Sequence, residues 1–332
     1  MSRLAEIVAG FSGRRIAVLG DLVCDEFVHG DIARVSREAP VLILEHTRTE
    51  IVPGAAANAV ANLRALGAAP VPVGIVGRDE AGRALVRTLR RAGVRVGGIR
   101  VERGYRTPTK SRVLAGGVHT RRQQIVRIDR GARHGELPGG ALVRLKARLA
   151  AALSGADGLL VADYGYGAAP PALLAAIPRR LRPPVVTVDS RSRVAAFRGA
   201  TACTPNQEEV ERALGLAAPP GDRAAAQAGR ALLRRTGNAA VLVTRGAKGM
   251  VLVQRKGPPL AIPAFGEGEV ADVTGAGDTV IAVFTLACAS GASFPEAARL
   301  ANVAAGLVVM KAGTATVSPR ELLRALRDGA GS

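Results

Sequence analysis

The sequence contains no tryptophan, few other aromatic residues and only three cysteines among its 332 residues. The cysteines, Cys24, Cys203 and Cys288, lie far apart and form no C-x-x-C or Cys-His spacing. A disulfide framework and a zinc site are therefore not predicted, and this cysteine usage fits a protein of the reducing cytoplasm.

Long hydrophobic runs are also missing. The longest apolar stretches, residues 280–289 and 303–310, are shorter than the roughly 20 residues that a bilayer-spanning helix needs. Residues 1–15 lack the uninterrupted apolar segment of a secretory signal. Hydrophobic residues still make up 48% of the chain, which argues against disorder. We therefore expect a folded protein with no membrane partner.

Acidic residues are scarce: 27 Asp and Glu stand against 46 Lys and Arg, giving a net charge of +19. Such a balance is compatible with binding to nucleic acid or to an anionic membrane surface. However, aromatic residues are only 3% of the chain, and the arginines are scattered as singles and pairs. We expect no nucleic-acid partner, although the positive field would attract anionic substrates.

The most informative stretch is D-V-T-G-A-G-D-T at residues 272–279, followed by an apolar segment that predicts a buried helix over 280–288. Gly275 and Gly277 allow close approach of the backbone to a ligand, and free N–H groups at a helix start bind anions. Asp278 would face the same ligand. A cradle of donors beside a carboxylate suits phosphoryl transfer to an alcohol. A capping or helix-dipole role for Asp278 explains these residues about equally well.

Strands and helices alternate along most of the chain, which predicts an α/β fold with a mostly parallel sheet and helices on both faces. Polar residues follow several strands, among them Asp163, Asp189, Asn206 and Thr244. The carboxyl ends of parallel strands share one edge, so these residues predict an active-site rim. The predicted strands are 15–19, 71–76, 158–162, 184–188, 201–203 and 240–243, with strand ends at 258–262 and 269–273. The other predicted helices are 80–91, 141–153, 170–181, 207–214 and 222–236.

Two earlier segments carry candidate binding residues. Asp21 and Asp25 follow the first strand and would either hold sugar hydroxyls or make turn hydrogen bonds. The small residues at 53–58 open a helix that runs to about Leu66, and they permit either close ligand approach or simple helix packing.

A small separate sheet is predicted from residues 41–52, 107–114 and 123–129, which are rich in strand formers. Lys110 and Arg112 lie on it, either as exposed basic residues of a hairpin or as positive charge offered to a phosphorylated substrate. Because open strand edges usually need covering, we expect a homodimer through this sheet.

The order of these motifs resembles the ribokinase/PfkB family of carbohydrate kinases over nearly the whole chain. Within it, the sequence is most similar to bacterial D-glycero-β-D-manno-heptose-7-phosphate kinases. The residues that carry the resemblance are Gly20-Asp21 with Asp25, 36–41, 53–58, 109–113, Asp163-Tyr164, 204–206 with Glu209, 244–246, 272–278 and 315–319.

The resemblance implies a ribokinase-like three-layer α/β/α fold with a mostly parallel central sheet and a small β lid, at about 30–52 and 105–130 of a single 1–332 domain. It also implies ATP and Mg²⁺ as cofactors, with K⁺ as a candidate monovalent cation. It assigns Asp278 as base, Gly275, Ala276 and Gly277 as anion hole, and Asp25, Gly54 and Asn58 to the sugar. It assigns Asn206 and Glu209 to Mg²⁺, partly through water; Thr244, Arg245, Gly246, Gly249 and Asn302 to the nucleotide; and Asp272 and Thr274 to the monovalent cation. From their own positions in the sequence, Asp21, Lys110, Arg112 and Asp163 are further candidates for binding the substrate.

The sequence departs from this pattern at three places around the expected site. Ala55 replaces the second glycine of P-G-G-A-A-N, Tyr166 replaces the lysine of D-Y-x-K-G, and Ser190-Arg191 replaces the last two residues of D-P-K. The nucleotidyltransferase domain fused in some relatives is not expected after Ser332. The three substitutions lie around the expected site, so they bear on the identity of the sugar substrate more than on the type of reaction.

The leading hypothesis is an ATP-dependent kinase for the anomeric hydroxyl of a heptose 7-phosphate. A kinase for another sugar or sugar phosphate, such as a hexose phosphate, ribose or fructose, is the alternative within the class. A non-catalytic sugar- or nucleotide-binding relative is the alternative outside it, and it is disfavoured because Asp278, Asn206 and Glu209 are all present.

Overall fold

The structure, a computed structural model, describes residues 2–116, 123–132, 135, 137–215, 221–266, 271–311 and 313–328. Its strands form two sheets. The strands are β1 Arg15–Gly20, β2 Leu22–Val35, β3 Leu42–Ala55, β4 Ala69–Gly77, β5 Ile99–Glu102, β6 Thr109–Gly116, β7 Gln123–Arg130, β8 Gly158–Asp163, β9 Val185–Ser190, β10 Ala202–Cys203, β11 Ala240–Thr244, β12 Met250–Gln254 and β13 Leu260–Ile262.

The larger sheet has nine strands in the order β13-β12-β11-β10-β9-β8-β1-β4-β5. Strands β11 to β5 pair in parallel, whereas β12 pairs antiparallel with both of its neighbours. The mostly parallel sheet predicted from the sequence is confirmed. Because parallel neighbours end at the same edge, the residues that follow β1, β8, β9, β10 and β11 are brought together there.

Ten helices were identified within the described residues, and they cover both faces of this sheet. The helices are α1 Arg3–Ala9, α2 Ala56–Ala65, α3 Glu80–Arg91, α4 Ala141–Leu153, α5 Pro171–Ala175, α6 Gln207–Leu214, α7 Asp222–Thr236, α8 Ala276–Ala289, α9 Phe294–Val309 and α10 Pro319–Asp328. No helix in the described ranges combines the length and the apolar character needed to cross a membrane.

Two hydrophobic cores separate these helices into layers. One contains buried side chains of α1, α2, α3, α8, α9 and α10, and the other those of α4 to α7. Helix α8 is apolar on all sides because it is enclosed by α2, α9 and the strands β8 and β9. The three-layer α/β/α arrangement is thus confirmed, and its most enclosed helix begins at the D-V-T-G-A-G-D-T segment.

The second sheet has four strands in the order β3-β2-β6-β7 and is consistent with the expected small β lid. Strand β2 begins one residue after the end of β1, so the small sheet begins at Leu22 rather than near residue 30. Register shifts interrupt β2–β3 pairing at His29/Gly30 and at Ile32/Arg34, and β6–β7 pairing at Val113/Leu114. Since His29 pairs with Leu114, the shifts at His29/Gly30 and Val113/Leu114 lie at the same level of the sheet.

Two predicted elements were wrong. The helix expected over 170–181 is replaced by α5 and a separate 3-10 turn at Arg179–Leu181, because Pro178 cannot continue the hydrogen-bonding pattern of a helix. The strand end expected over 269–273 is not formed by residues 271–273, and the rest of it lies outside the described residues. There the N–H groups of Ala271 and Asp272 instead donate to the Val309 carbonyl at the end of α9.

Candidate functional site

Two cavities meet at the N-terminal end of α8, beside the carboxyl edge of the large sheet. The polar cavity, about 340 Å³, is lined by Asp25, Ala55, Lys110, Arg112, Tyr164, Asp189, Arg191, Thr204, Asn206, Glu209, Thr244, Val273, Thr274, Gly275, Gly277 and Asp278. The apolar cavity, about 620 Å³, shares Thr244, Val273 and Gly277 with it. A ligand could therefore extend from one cavity into the other past the start of α8.

Asp278 stands in the first turn of α8 and is almost fully buried at the wall of the polar cavity. The Tyr164 hydroxyl donates to its Oδ1 at 2.7 Å, and the Asn58 side-chain amide donates to its Oδ2 at 3.0 Å. Burial raises the pKa of the Asp278 carboxyl to about 6, although these two hydrogen bonds favour the ionised form. The group is thus a carboxylate near neutral pH and can accept a proton.

The turn before α8 brings backbone against the cavity. Gly275 has φ +80°, and a Cβ there would lie 2.4 Å from the Asn58 amide nitrogen, so both conformation and space require glycine. A Cβ on Gly277 would meet nothing within 4 Å, since this residue faces open cavity. The first N–H groups of α8 have no partner inside the helix, although that of Ala276 donates to the Val273 carbonyl at 3.3 Å. N–H groups at a helix start are suited to binding an anion.

Basic side chains of the small sheet reach the opposite wall. Arg112 forms a buried ion pair with Asp25, Nη1 to Oδ1 at 2.6 Å. Lys110 lies 5.3 Å from the centre of the Tyr164 ring, and its pKa is lowered by burial and by the nearby Arg191. The hypothesis of a hairpin with exposed Lys110 and Arg112 is therefore wrong, because both are buried at the cavity.

The Asp25 carboxylate is fixed by its surroundings as well as by Arg112. In the β2–β3 ladder Gly54 pairs with Val23, two residues before Asp25, so Gly54 and Asp25 are diagonal neighbours on one face of the sheet. A Cβ on Gly54 would lie 2.4 Å from Asp25 Oδ2. Gly54 does not line the cavity, but it is the residue that leaves room for Asp25 to do so.

Carboxylates at the ends of β9 and at the start of α6 form the third wall. Asn206 caps α6 by accepting from the Glu209 N–H, while Glu209 Oε2 accepts from the Asn206 N–H in return. Asp189 lies on the same wall, and its pKa is raised well above the usual value by burial and by the Glu209 charge. Burial also raises the pKa of Glu209. Two carboxylates with raised pKa values in one cavity form a donor set that suits a divalent cation.

These residues would share a cation with ligand oxygens rather than enclose it. Within the described ranges, no cluster of three or more His, Cys, Asp or Glu side chains is close enough to hold a metal ion. Mg²⁺ commonly keeps water and substrate phosphate among its ligands and needs only one or two protein carboxylates. The chemistry of the wall therefore fits the expected Mg²⁺.

The apolar cavity is lined by strands β11 and β12 and by α8 and α9, with Phe265 and Met310 among its larger side chains. Gly246, Gly249, Ala276 and Asn302 all lie on its wall. The Asn302 amide donates to the Pro263 carbonyl at 2.8 Å, which fixes the loop beside the cavity. A flat apolar group joined to a phosphate chain fits a cavity of this lining next to an anion site.

A further cavity of about 500 Å³ contains both residues expected at the monovalent cation. Asp272 and Thr274 line it together with Thr314 and parts of the small sheet. Asp272 Oδ1 accepts the Thr274 N–H at 2.8 Å.

Several expected site residues line neither main cavity. Asp21 is buried, and its two oxygens accept the N–H groups of Tyr164, Tyr166 and Ala168. The Asp163 carboxylate is enclosed by Arg193 and Ser190. Arg245 contacts Asp222 and Gln207 instead. Asn58 reaches the site through its hydrogen bonds to Asp278 and to the Gly275 carbonyl. The structure therefore gives Asp21 and Asp163 internal partners. Those of Asp21 lie on the loop after β8 and not in the turn that follows β1.

The sequence interpretation assigned no specific role to six residues of the polar cavity, although it placed Asp189 on the predicted rim. The six are Ala55, Tyr164, Asp189, Arg191, Thr204 and Val273. Asp189 and Arg191 were visible as polar residues after a strand. Ala55 is the one described residue other than glycine with a positive φ, +52°, at the base of α2. Tyr164 follows β8 and contacts Asp278, which no local pattern could indicate.

Comparisons with known proteins agree with this geometry. Residues 15–321 match the model of the pfkB family of carbohydrate kinases. The chain is 42% identical over 312 residues to a protein called bifunctional protein HldE from Geobacter sulfurreducens, covering 93% of this chain and 62% of that one. It is also 42% identical to bifunctional protein HldE from Halorhodospira halophila, covering 96% of this chain and 65% of the relative. The chain thus spans about three-fifths of the length of these relatives.

Solved structures show the same fold at low sequence identity. Arabidopsis thaliana ribokinase complexed with ribose and ATP superposes with a TM-score of 0.71 at 20% identity, covering 95% of this chain and 99% of that one. Phosphofructokinase-2 from Escherichia coli, in complex with substrates and products, gives 0.75 at 18% identity over 95% and 99%. With its ribokinase-like fold and its match to the family model over most of its length, the chain belongs to the pfkB family of carbohydrate kinases and is a sugar kinase.

Proposed function

We propose that the protein transfers the γ-phosphoryl group of ATP to the anomeric hydroxyl of D-glycero-D-manno-heptose 7-phosphate, giving the 1,7-bisphosphate. The observation that carries this proposal is the position of Asp278, a buried carboxylate at the junction of a polar and an apolar cavity. The sugar would occupy the polar cavity beside Asp25, and the adenosine would occupy the apolar one.

In this reaction the oxygen of the sugar hydroxyl attacks the γ-phosphorus, a new P–O bond forms, and the bond to the bridging oxygen of ADP breaks. The hydroxyl proton passes to Asp278. Phosphoryl transfer has a loose transition state, so the base can orient the hydroxyl first and accept its proton late. A carboxylate whose pKa is about 6 is well suited to this role near neutral pH.

The backbone N–H groups of Gly275, Ala276 and Gly277 would hold the transferred phosphoryl group. They are preorganised at the start of α8, so they stabilise charge that develops in the transition state without reorganising. Asn206, Glu209 and Asp189 would hold Mg²⁺, whose charge would offset that of the nucleotide phosphates. Asp272 and Thr274 would contribute to a site for a monovalent cation such as K⁺.

Lys110 and Arg191 favour a phosphorylated acceptor, because they offer basic side chains to the cavity while Arg112 is paired with Asp25. The motif resemblance favours the heptose phosphate, and the relatives named HldE are consistent with it. A fructose phosphate or ribose is the second candidate, since the phosphofructokinase-2 and ribokinase structures have the same fold.

We also propose that residues 1–332 act as one catalytic unit that dimerises through the small sheet. Apolar side chains are exposed there, including Ile32, Val35, Leu42, Ile125 and Ile128. Groups of exposed apolar side chains on a monomer often mark an interaction surface. Sedimentation of a single monomeric species at micromolar concentration would contradict the dimer without touching the proposed reaction.

The proposed reaction is tested by ATP consumption of the purified protein with heptose 7-phosphate, fructose 6-phosphate, ribose and fructose. Turnover with heptose 7-phosphate that Asp278→Asn abolishes is the expected result. Turnover restricted to another sugar would replace the substrate and keep the mechanism. Failure with all four acceptors, in protein that still binds ATP, would refute the proposed substrate class.

A further inference from the structure

Tyr164 lines the polar cavity and contacts three of its charged groups. It directly follows β8, on a loop whose N–H groups at residues 164, 166 and 168 are held by the buried Asp21. Its hydroxyl donates to Asp278 Oδ1 at 2.7 Å. Its ring centre lies 5.3 Å from the Lys110 ammonium and 5.1 Å from the Arg191 guanidinium.

We infer that Tyr164 is a positioning residue for the proposed reaction, with its hydroxyl orienting the Asp278 carboxylate and its ring holding Lys110 and Arg191 at the cavity. The inference rests on the proposed function of Asp278 as base. It assigns a role to a residue at which the sequence gave no functional prediction.

The hydroxyl acts on the carboxylate by orientation. Asp278 has one hydrogen bond on each oxygen, from Tyr164 and from Asn58, so the carboxylate cannot rotate freely. Because the two donors occupy one lone pair on each oxygen, an incoming hydroxyl has a restricted set of directions left. Orientation of this kind raises the rate of a reaction between bound groups.

The hydroxyl also favours the ionised form of Asp278. Burial and the charge of Asp25 disfavour that form, whereas Tyr164, Asn58 and Lys110 favour it. Asp189 is a further negative group close enough to interact with Asp278. Tyr164 itself does not compete as a base, because burial and the Asp278 charge raise its pKa well above the usual value.

The ring acts on the two cations. No ion pair joins Lys110 or Arg191 to a carboxylate in the described part of the chain, and the two cations repel each other. The negative face of an aromatic ring attracts cations at this distance. A carboxylate partner would neutralise the charge of these two side chains. Tyr164 instead keeps the two cations near one another and available for the anionic reactants.

The two actions are separated by Tyr164→Phe, which removes only the hydroxyl, and Tyr164→Leu, which also removes the ring. Tyr105→Phe is the matched control, since Tyr105 is a buried tyrosine in the other hydrophobic core and lines neither main cavity. The assay uses whichever acceptor the unmodified enzyme phosphorylates, over pH 5 to 9.

For Tyr164→Phe we expect kcat to fall roughly tenfold to a hundredfold at pH 7, since a hydrogen bond to a charged group changes an equilibrium constant by a factor of about ten to a hundred. The acid limb of kcat/KM should move to higher pH by about one unit for the same reason. Tyr164→Leu should in addition weaken ATP or acceptor binding, seen as a higher KM. The inference would be overturned if the acid limb of kcat/KM in Tyr164→Phe stayed at the pH of the unmodified enzyme. It would also be overturned if Tyr164→Phe and Tyr164→Leu had equal KM values.

A second measurement does not depend on turnover. It is the difference in melting temperature between the protein and its Asp278→Asn variant, measured as a function of pH. This difference reports the protonation of Asp278 in the folded state. The midpoint of this difference should lie at higher pH in the Tyr164→Phe background than in the original. If no acceptor is phosphorylated, the proposed function fails, and this midpoint still decides whether Tyr164 controls Asp278.

Discussion

Asp21 and Asp278 are two buried aspartates with similar acidity in two different parts of the molecule. Burial raises the pKa of both carboxyl groups to about 6. The oxygens of Asp21 accept three backbone N–H groups from the loop after β8, whereas those of Asp278 accept only side-chain donors and face a cavity. A raised pKa therefore does not distinguish the two, but the identity of the hydrogen-bond donors does.

The difference follows from what each donor can do. Backbone amides belong to a fixed loop, so a carboxylate bound to three of them organises that loop and is not available to a ligand. Side-chain donors leave lone pairs free and can adjust as a proton arrives. Asp21 supports the site by fixing the loop that presents Tyr164, and Asp278 is placed to act within it.

The sharpest separation between the two aspartates is in turnover. We expect Asp278→Asn to reduce kcat by roughly 10³, within the range that general base catalysis contributes. In Asp21→Asn the base is retained, so the folded fraction of the protein should keep kcat within about a factor of ten. Steady-state rates, corrected for the folded fraction by circular dichroism, provide the measurement. Comparable losses in both variants would remove the distinction.

The turn that leads to Asp278 allows a paired glycine test. A methyl group on Gly275 would strain a positive φ and collide with Asn58, so Gly275→Ala should lower kcat about a hundredfold by displacing Asp278 and should lower stability by about 1–3 kcal/mol. Gly277→Ala has space in the ligand-free cavity and should leave stability unchanged. A loss of turnover in Gly277→Ala alone would show that the phosphoryl group approaches this residue closely.

Substitution by asparagine should change the stability of the protein in opposite directions at the two aspartates. Asp21→Asn replaces an acceptor by an amide NH₂ that faces backbone N–H groups, and it should cost about 1–3 kcal/mol at pH 7.5. Asp278→Asn removes a buried charge and should be neutral or stabilising by up to about 2 kcal/mol. Urea unfolding gives both values, and a large loss of stability in Asp278→Asn would contradict the assignment.

The smallest expected effect is in pH dependence. Both carboxyl groups have a folded-state pKa, about 6, above the unfolded value of 3.8. Their contribution to stability is therefore fully present below pH 4 and is lost as pH rises through 6. Turnover has the opposite sign, because Asp278 must be ionised, so kcat/KM should fall below about pH 6. A profile that is flat from pH 5 to 8 would show that another group accepts the proton.

Local sequence patterns predicted most of the architecture. The alternation of strands and helices, and the buried helix after the D-V-T-G-A-G-D-T segment, follow from hydrophobic periodicity and glycine positions. The helix expected over 170–181 failed because Pro178 was given too little weight against its apolar neighbours. Strand β2 was missed over its first residues, since its buried run from Leu22 to Asp25 was interpreted as a loop after β1.

The site could be predicted where a residue type and its local spacing determine its place. The glycines and Asp278 are of this kind, and so are Asn206 and Glu209, which form a capping box. The roles of Asp21 and Tyr164 could not be predicted, because each depends on a contact with a residue more than 100 positions away. Whether the side chain that follows a strand faces a cavity depends on tertiary packing.

The aligned irregularities in the small sheet have a mechanical consequence. They lie at His29 and Leu114, farther along β2 and β6 than the Asp25–Arg112 pair that lines the cavity. A sheet bends most easily where its ladder is interrupted. These register shifts therefore make the outer part of the small sheet the easier part to bend, while Asp25 and Arg112 belong to the inner part, on the side of the shifts that lines the cavity.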